Sequence, residues 1–337
     1  MKLGLTVPYT DDIPRELLVK FVQEADGLGY DAVWVPEAYG WDAFTVLTQL
    51  ACATERIGLG TGIVNVFSRS PALIAQTAAS LDAISGGRFR LGLGTSGHQV
   101  VEGWHGVTFA RGLRRMRETV EIVRTVLRRE RLTYEGEVFR LDAGLKLVTH
   151  PVRDRVPVYL ATLTPAGIEL AGEIADGWLP VFFSPERYER TFQPRLARGA
   201  ARAGRSPADV SVCPYLTVVV TDDVAAGRDV ARPGIALYVG GMGSREKNYY
   251  NAVFRDYGFA DEARRVQDLY LARRRDEARA AVTDEMVDAV TIIGPAAECR
   301  RRIDALERLG VREAAIGLRV PGNDPLATLT ALRELAA

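Results

Sequence analysis

Four short clusters of polar or glycine-rich residues carry the chemistry this chain could perform: Glu37 with Trp41, residues 61–65 (TGIVN), residues 95–98 (TSGH) and residues 161–167 (ATLTPAG). Each follows a short apolar run of the kind that forms a strand. If those strands are parallel, their C-terminal ends converge and the clusters share one pocket. Two side chains in them suit proton transfer: Glu37, expected at the pocket floor, and His98, of the residue type that most often moves protons near neutrality. In the last cluster Thr164 reads as a helix N-cap and Pro165 as the first helical residue, which leaves the amides of Ala166 and Gly167 free. Such a helix start can bind phosphate, and it equally serves as an ordinary capped helix.

Other motifs point elsewhere and are weaker. A literal GxGxxG stands at Gly92, Gly94 and Gly97. A dinucleotide fingerprint belongs in the first strand-to-helix turn with the helix opening at once. Here it follows the fourth strand, and no helix is expected before residue 113, so the glycines are read as letting a ligand approach the backbone. His98, His105 and His150 show no HxH or HExxH spacing, and no metal site is expected. The position that would complete a GxSxG elbow around Ser96 is His98. Cys52, Cys213 and Cys299 lie far apart, outside any CxxC pattern, and are expected to be buried, inert thiols. Residues 238–251 (YVGGMGSREKNYYN) gather glycines, Arg245, Lys247, Asn248, Tyr249 and Tyr250. They suit a loop that meets an anionic or flat ligand, or a solvated cap with aromatic packing.

The elements that must hold these residues alternate throughout the chain. Strands are expected at residues 3–7, 31–36, 57–63, 88–93, 156–161, 177–181, 210–220 and 314–320, with helices at 14–28, 43–54, 71–84, 113–129, 165–175, 185–203 and from 325. Strands apolar on both faces and followed by helices imply a parallel sheet covered by helices. About eight such units favour a single-domain α/β fold, a (β/α)8 TIM barrel spanning 1–337, over a doubly wound sheet. Two stretches break the repeat: a hairpin at 134–148 and a helix-rich insertion at about 223–290. Both read as insertions of the kind that lie over a catalytic face.

Composition fits this reading. Of the 337 residues 47% are hydrophobic and 26% charged, and 43 basic residues balance 43 acidic ones, so no net field draws the chain to nucleic acid or an anionic membrane. No stretch approaches the ~20 apolar residues of a membrane helix, and a cytoplasmic protein is expected.

The chain resembles the luciferase-like family of flavin- and deazaflavin-dependent (β/α)8 oxidoreductases, in its coenzyme F420-dependent branch. The resemblance rests on EADGLGYDAVWVPEAYGWDA, IGLGTGIVNVFSRSPALIAQTAASLDAISGGRFRLGLGTSG, VPVYLATLTPAGIELAGEIADGW and YVGGMGSREKNYYN. It implies a cis non-prolyl bond between Gly62 and Ile63 that backs the deazaflavin ring. It also places Glu37, Asn65, Thr95, Ser96 and Gly97 near the cofactor, with Thr162, Leu163, Thr164, Ala166 and Gly167 around its phosphate. The pattern departs from the sugar-phosphate dehydrogenases of the family at Ala38 and Gly97, where those carry His and Glu, and from the methanopterin reductases at Thr6, where those carry an acid. The implied activity is hydride transfer between deazaflavin C5 and an organic small molecule, as reduction of an activated C=C or C=N bond, by a homodimer. Trp41 and Trp104 are candidate pocket walls. An FMN-dependent monooxygenase is the alternative enzyme, and a non-enzymatic deazaflavin-binding protein the alternative of another class.

Overall fold

The alternation of short apolar and longer amphipathic runs becomes an alternation of strands and helices. The computed structural model describes residues 1–8, 10 and 13–337. Its first part runs β1 (Lys2–Thr6), α1 (Arg15–Gly27), β2 (Ala32–Val35), α2 (Ala43–Ala53), β3 (Gly58–Thr61), β4 (Val64–Asn65), α3 (Pro71–Ile84) and β5 (Phe89–Gly94). A short α4 (His98–Gly103) and the long α5 (Gly112–Leu127) lead to an antiparallel hairpin of β6 (Leu132–Glu135) and β7 (Arg140–Leu145). Next come β8 (Val158–Ala161), α6 (Pro165–Ile174), β9 (Gly177–Trp178), α7 (Pro185–Thr191), α8 (Gln193–Arg202), β10 (Ser211–Val212) and β11 (Tyr215–Val220). The helix-rich segment holds α9 (Val224–Ala236), a π-helical turn at Leu237–Gly241, α10 (Tyr249–Asp256), α11 (Ala260–Leu271), α12 (Arg275–Ala280) and α13 (Asp284–Asp288). The chain closes with β12 (Thr291–Gly294), α14 (Ala296–Asp304), β13 (Glu313–Arg319) and α15 (Pro325–Ala336).

The large sheet is parallel, in the order β10, β9, β8, β5, β3, β2, β1, β13, β11, β12, with the short β4 also on β5. It curls. The edge strand β10 continues through Cys213 and Pro214 into β11, which already pairs with β13, and Val181 bridges to Tyr215. Alternation along each strand sends neighbouring side chains to opposite faces. Ala32 and Trp34 join Tyr159, Leu179, Cys213 and Ala315 in a cluster inside the curl, while Val33 and Val35 pack under the surrounding helices. Trp34 fills the interior at close quarters: a Cβ on Gly60 of β3 would stand 2.2 Å from its ring. Interior packing that dense leaves glycine as the fitting residue there.

Several expectations change in detail. The run at 210–220 is two strands, because Pro214 has no N–H to give the ladder. The helix expected at 185–203 breaks at Phe192, where Pro194 cannot donate to the carbonyl four residues back. The segment after 290 supplies a further parallel strand, β12, too short at four residues to stand out from its helical surroundings. A helix does open directly after Gly97, contrary to expectation, but α4 has only six residues and sits in the middle of the fold rather than after the first strand. Cys52 is exposed, whereas Cys213 and Cys299 are buried. No helix among the described residues is long and apolar enough to cross a membrane.

Candidate active site

The C-terminal ends of the strands enclose a cavity of about 360 Å³. Pro36, Glu37 and Ala38 reach it from the end of β2, Gly62 and Ile63 from the turn after β3, and Gly94, Thr95 and Ser96 from β5. Ala161, Thr162, Leu163 and Thr164 come from β8, with Leu179, Val181 and Tyr215 beside them. Phe109, Gly112, Leu113, Tyr238, Met242, Tyr249 and Tyr250 cover the opposite side. A larger groove of about 950 Å³ runs between α1 and α15, but the polar clusters at the strand ends do not converge on it. The smaller cavity is therefore the candidate site.

Local chemistry explains how the strand side is held. Arg69 grips Glu37 with both arms of its guanidinium, at 2.6 and 2.9 Å, and also bonds Asp42. The Ala43 amide donates to Glu37 Oε2 at 2.9 Å, so the start of α2 is tied to the same carboxylate. Burial alone would weaken the charge on Arg69, but Glu37 and Asp42 outweigh it and hold the guanidinium above its ordinary pKa. Burial likewise opposes ionisation of Asp42, and its bonds from Thr45 and Arg69 bring the carboxyl below the usual range. Thr61 Oγ1 donates to the Gly92 carbonyl and accepts from the Gly92 amide, both at 2.8 Å, locking β3 to β5 just below the cavity.

The Gly62–Ile63 peptide is cis. A Cβ on Gly62 would lie 1.6 Å from the Tyr215 hydroxyl, so the backbone there passes directly over that side chain. The Tyr215 hydroxyl is buried with no hydrogen-bond partner among the described residues. Burial, with contributions from Cys213 and Tyr238, pushes its pKa far up, so the phenol stays neutral. Ser96 holds a left-handed backbone (φ 56°), which is uncommon for a residue other than glycine and turns the chain at the cavity edge. Thr164 caps α6, accepting from the Gly167 amide at 3.1 Å. That bond uses one of the two amides expected to be free, and leaves Ala166 as the uncapped donor of the first turn.

Of the residues singled out from sequence, Glu37, Gly62, Ile63, Thr95, Ser96, Thr162, Leu163 and Thr164 come together around the cavity. Asn65, Gly97, His98, Ala166 and Gly167 lie outside its lining. Asn65 is buried and its side-chain oxygen accepts from the amides of Phe67 and Ser68 at 2.9 and 2.8 Å, which marks it as a turn-former. Trp41 and Trp104 are exposed and do not wall the cavity, and Arg15 stacks over the Trp41 ring. Sequence reasoning did not single out Arg69, Phe109, Leu113, Leu179, Val181 or Tyr215. A buried carboxylate calls for a cation, but nothing local shows that it comes from 32 residues away.

The luciferase-like monooxygenase family model matches residues 4–313. The chain belongs to the luciferase-like monooxygenase family. Within it, this luciferase-like chain is 40% identical over 324 residues to a Mycobacterium tuberculosis protein provisionally named a coenzyme F420-dependent oxidoreductase, covering 92% of this chain and 93% of the relative. It is 31% identical over 328 residues to the 5,10-methylenetetrahydromethanopterin reductase of Methanolobus tindarius, covering 96% of each. The solved coenzyme F420 dependent tetrahydromethanopterin reductase from Methanopyrus kandleri superposes with a TM-score of 0.84 at 23% identity, over 99% of this chain and 97% of that one. That last likeness shows that the two share a fold.

Proposed function

We propose that this luciferase-like protein is a coenzyme F420-dependent oxidoreductase that transfers a hydride between deazaflavin C5 and an organic small molecule, reducing an activated C=C or C=N bond. We read the curled sheet as a (β/α)8 barrel, with β10 and β11 as one strand and β12 added outside the ring. The observation that carries the functional reading is the strand side of the cavity. Ala38, Gly62, Gly94 and Ala161 line it with backbone and small side chains, and the Thr162 and Thr164 hydroxyls stand at one end, where α6 begins. Such a surface suits a flat ring joined to a phosphate. Full-length similarity to a relative named for F420 supports the same choice.

When bound, F420 supplies or accepts the hydride at C5. The protein's own residues then bind, orient and exclude water. Gly62 and Ile63 would back the ring, and Thr162, Thr164 and the Ala166 amide would hold the phosphate. Glu37 already gives its oxygens to Arg69 and the Ala43 amide. We therefore assign Glu37 to shaping the floor rather than to donating a proton. Tyr238, Tyr249 and Tyr250 would close the site against solvent.

Titration of the purified protein with F420 and, separately, FMN, following quenching of its four tryptophans, tests the reading. Preferential F420 binding is expected. Preferential FMN binding would replace the assignment with a monooxygenase, and binding of neither would overturn it.

A further inference from the structure

The cavity has two unlike halves. The strand side presents backbone, small residues and the aliphatic Ile63, Leu163, Leu179 and Val181, whereas most of the aromatic rings, Phe109, Tyr238, Tyr249 and Tyr250, stand on the cap side with Leu113 and Met242. Aromatic rings on that side are held in place by one another. Tyr238 and Tyr250 meet edge to face with centroids 4.8 Å apart, and Phe182 packs edge to face against both, at 5.4 and 6.0 Å. Phe182 itself holds a left-handed backbone (φ 54°), an unusual state for a bulky residue, which the surrounding packing enforces. Packing among these rings therefore sets the positions of Tyr238 and Tyr250.

Most of the charged and amide side chains around this wall are committed elsewhere. Of the two basic residues of the 238–251 segment, Arg245 bonds Asp268, and Lys247 is exposed and lies outside the cavity lining. Asn248 caps α10 and donates to the Tyr238 and Val239 carbonyls, and Asn251 donates to the carbonyls of Val239 and Ala263. Arg111 and Arg114, near the start of α5, pair with Glu137. Among the described residues no Lys, Arg or His side chain lines the cavity, and its one carboxylate, Glu37, is spent on Arg69.

We propose that the cap side receives an uncharged, planar, largely apolar substrate, and that the site discriminates against carboxylated or phosphorylated ones. The inference rests on the cofactor assignment above, which puts the deazaflavin on the strand side and leaves the cap side to the substrate. Aromatic faces attract a flat ring by stacking and by burial of apolar area. An anion seated there loses its water without gaining a cation, which costs far more than burial of the neutral ring.

The test uses F420-loaded protein and two matched probes, coumarin and coumarin-3-carboxylate, titrated calorimetrically at neutral pH. Both are flat and share one ring system; only the second carries a charge. Coumarin is expected to bind at least about tenfold more tightly, given the desolvation cost of the unpaired carboxylate. Tyr249→Arg, at the exposed start of α10, is expected to narrow that preference by improving carboxylate binding. Equal or tighter binding of the carboxylate to the unaltered protein would overturn the inference, and so would failure of coumarin to bind while F420 does. Failure of F420 itself to bind would overturn the cofactor assignment instead, and the same two titrations on the free protein would still decide what the wall accepts.

Discussion

Glu37 reaches the cavity with both oxygens engaged, and His98 opens α4 outside the cavity lining, so we assign proton transfer to neither of the two residues that suggested it. For His98→Ala we expect a kcat within about threefold of the parent in F420-dependent turnover, whereas loss of a general acid would cost about 100-fold or more. Gly62 is the more sensitive position. Gly62→Ala would drive a methyl group into the Tyr215 hydroxyl and is expected to destabilise the protein by about 1 to 3 kcal/mol, read by urea denaturation. Adding Tyr215→Phe removes the obstructing oxygen and should recover part of that loss. No recovery would mean that the side chain under the turn is not what confines Gly62.

At the scale of the element, short strands deliver the site and helix starts shape its edges. Asp42 caps α2 while its carboxylate also meets Arg69, so one side chain both starts a helix and braces the floor. Thr164 plays the corresponding part for α6 at the end expected to hold phosphate. Thr164→Ala should lower thermal or urea stability by about 1 kcal/mol, the usual worth of such a cap. An unchanged stability would show that the first turn of α6 is held by its neighbours alone. The cap segment works differently: a π-helical turn at Leu237–Gly241 carries Tyr238 and leads through residues 242–248 to Tyr249 and Tyr250 at the start of α10, and Gly240 and Gly241 in the turn let the chain pass against the Tyr270 ring.

Across the whole molecule, ion pairs stitch helices to strands at a distance. Asp176 joins Arg155, Arg124 and the Val158 amide, linking the end of α6 to β8 and α5. Burial opposes its ionisation, but the Arg155 and Val158 bonds and the Arg124 charge prevail and lower its pKa. A carboxyl whose folded pKa lies below its unfolded value contributes stability above the unfolded value and loses it as pH falls through the folded one. Stability should therefore decline on acidification from about pH 5 downward, where unfolded carboxyls begin to protonate. Asp176→Asn should flatten that decline while lowering stability at neutral pH, both measured by urea denaturation across pH. A decline as steep in the variant as in the parent would assign the acid sensitivity to other carboxyls.

Most strand and helix positions were legible from the sequence because periodicity and caps are local: Thr164 with Pro165 marks a helix start that the fold keeps. The pocket's strand side was legible for the same reason, since polar residues directly after an apolar run must sit at a strand's C-terminal end. Tertiary structure alone decided which of them look inward. The next residue in a turn can point into the cavity or away from it, as Thr95 and Ser96 do against Gly97 and His98. It also decided that Arg69 claims Glu37, that Tyr215 lies under Gly62, and that the tyrosines of the insertion cover the opening. Those pairings join residues tens to well over a hundred positions apart, and only the curl of the sheet brings them within reach.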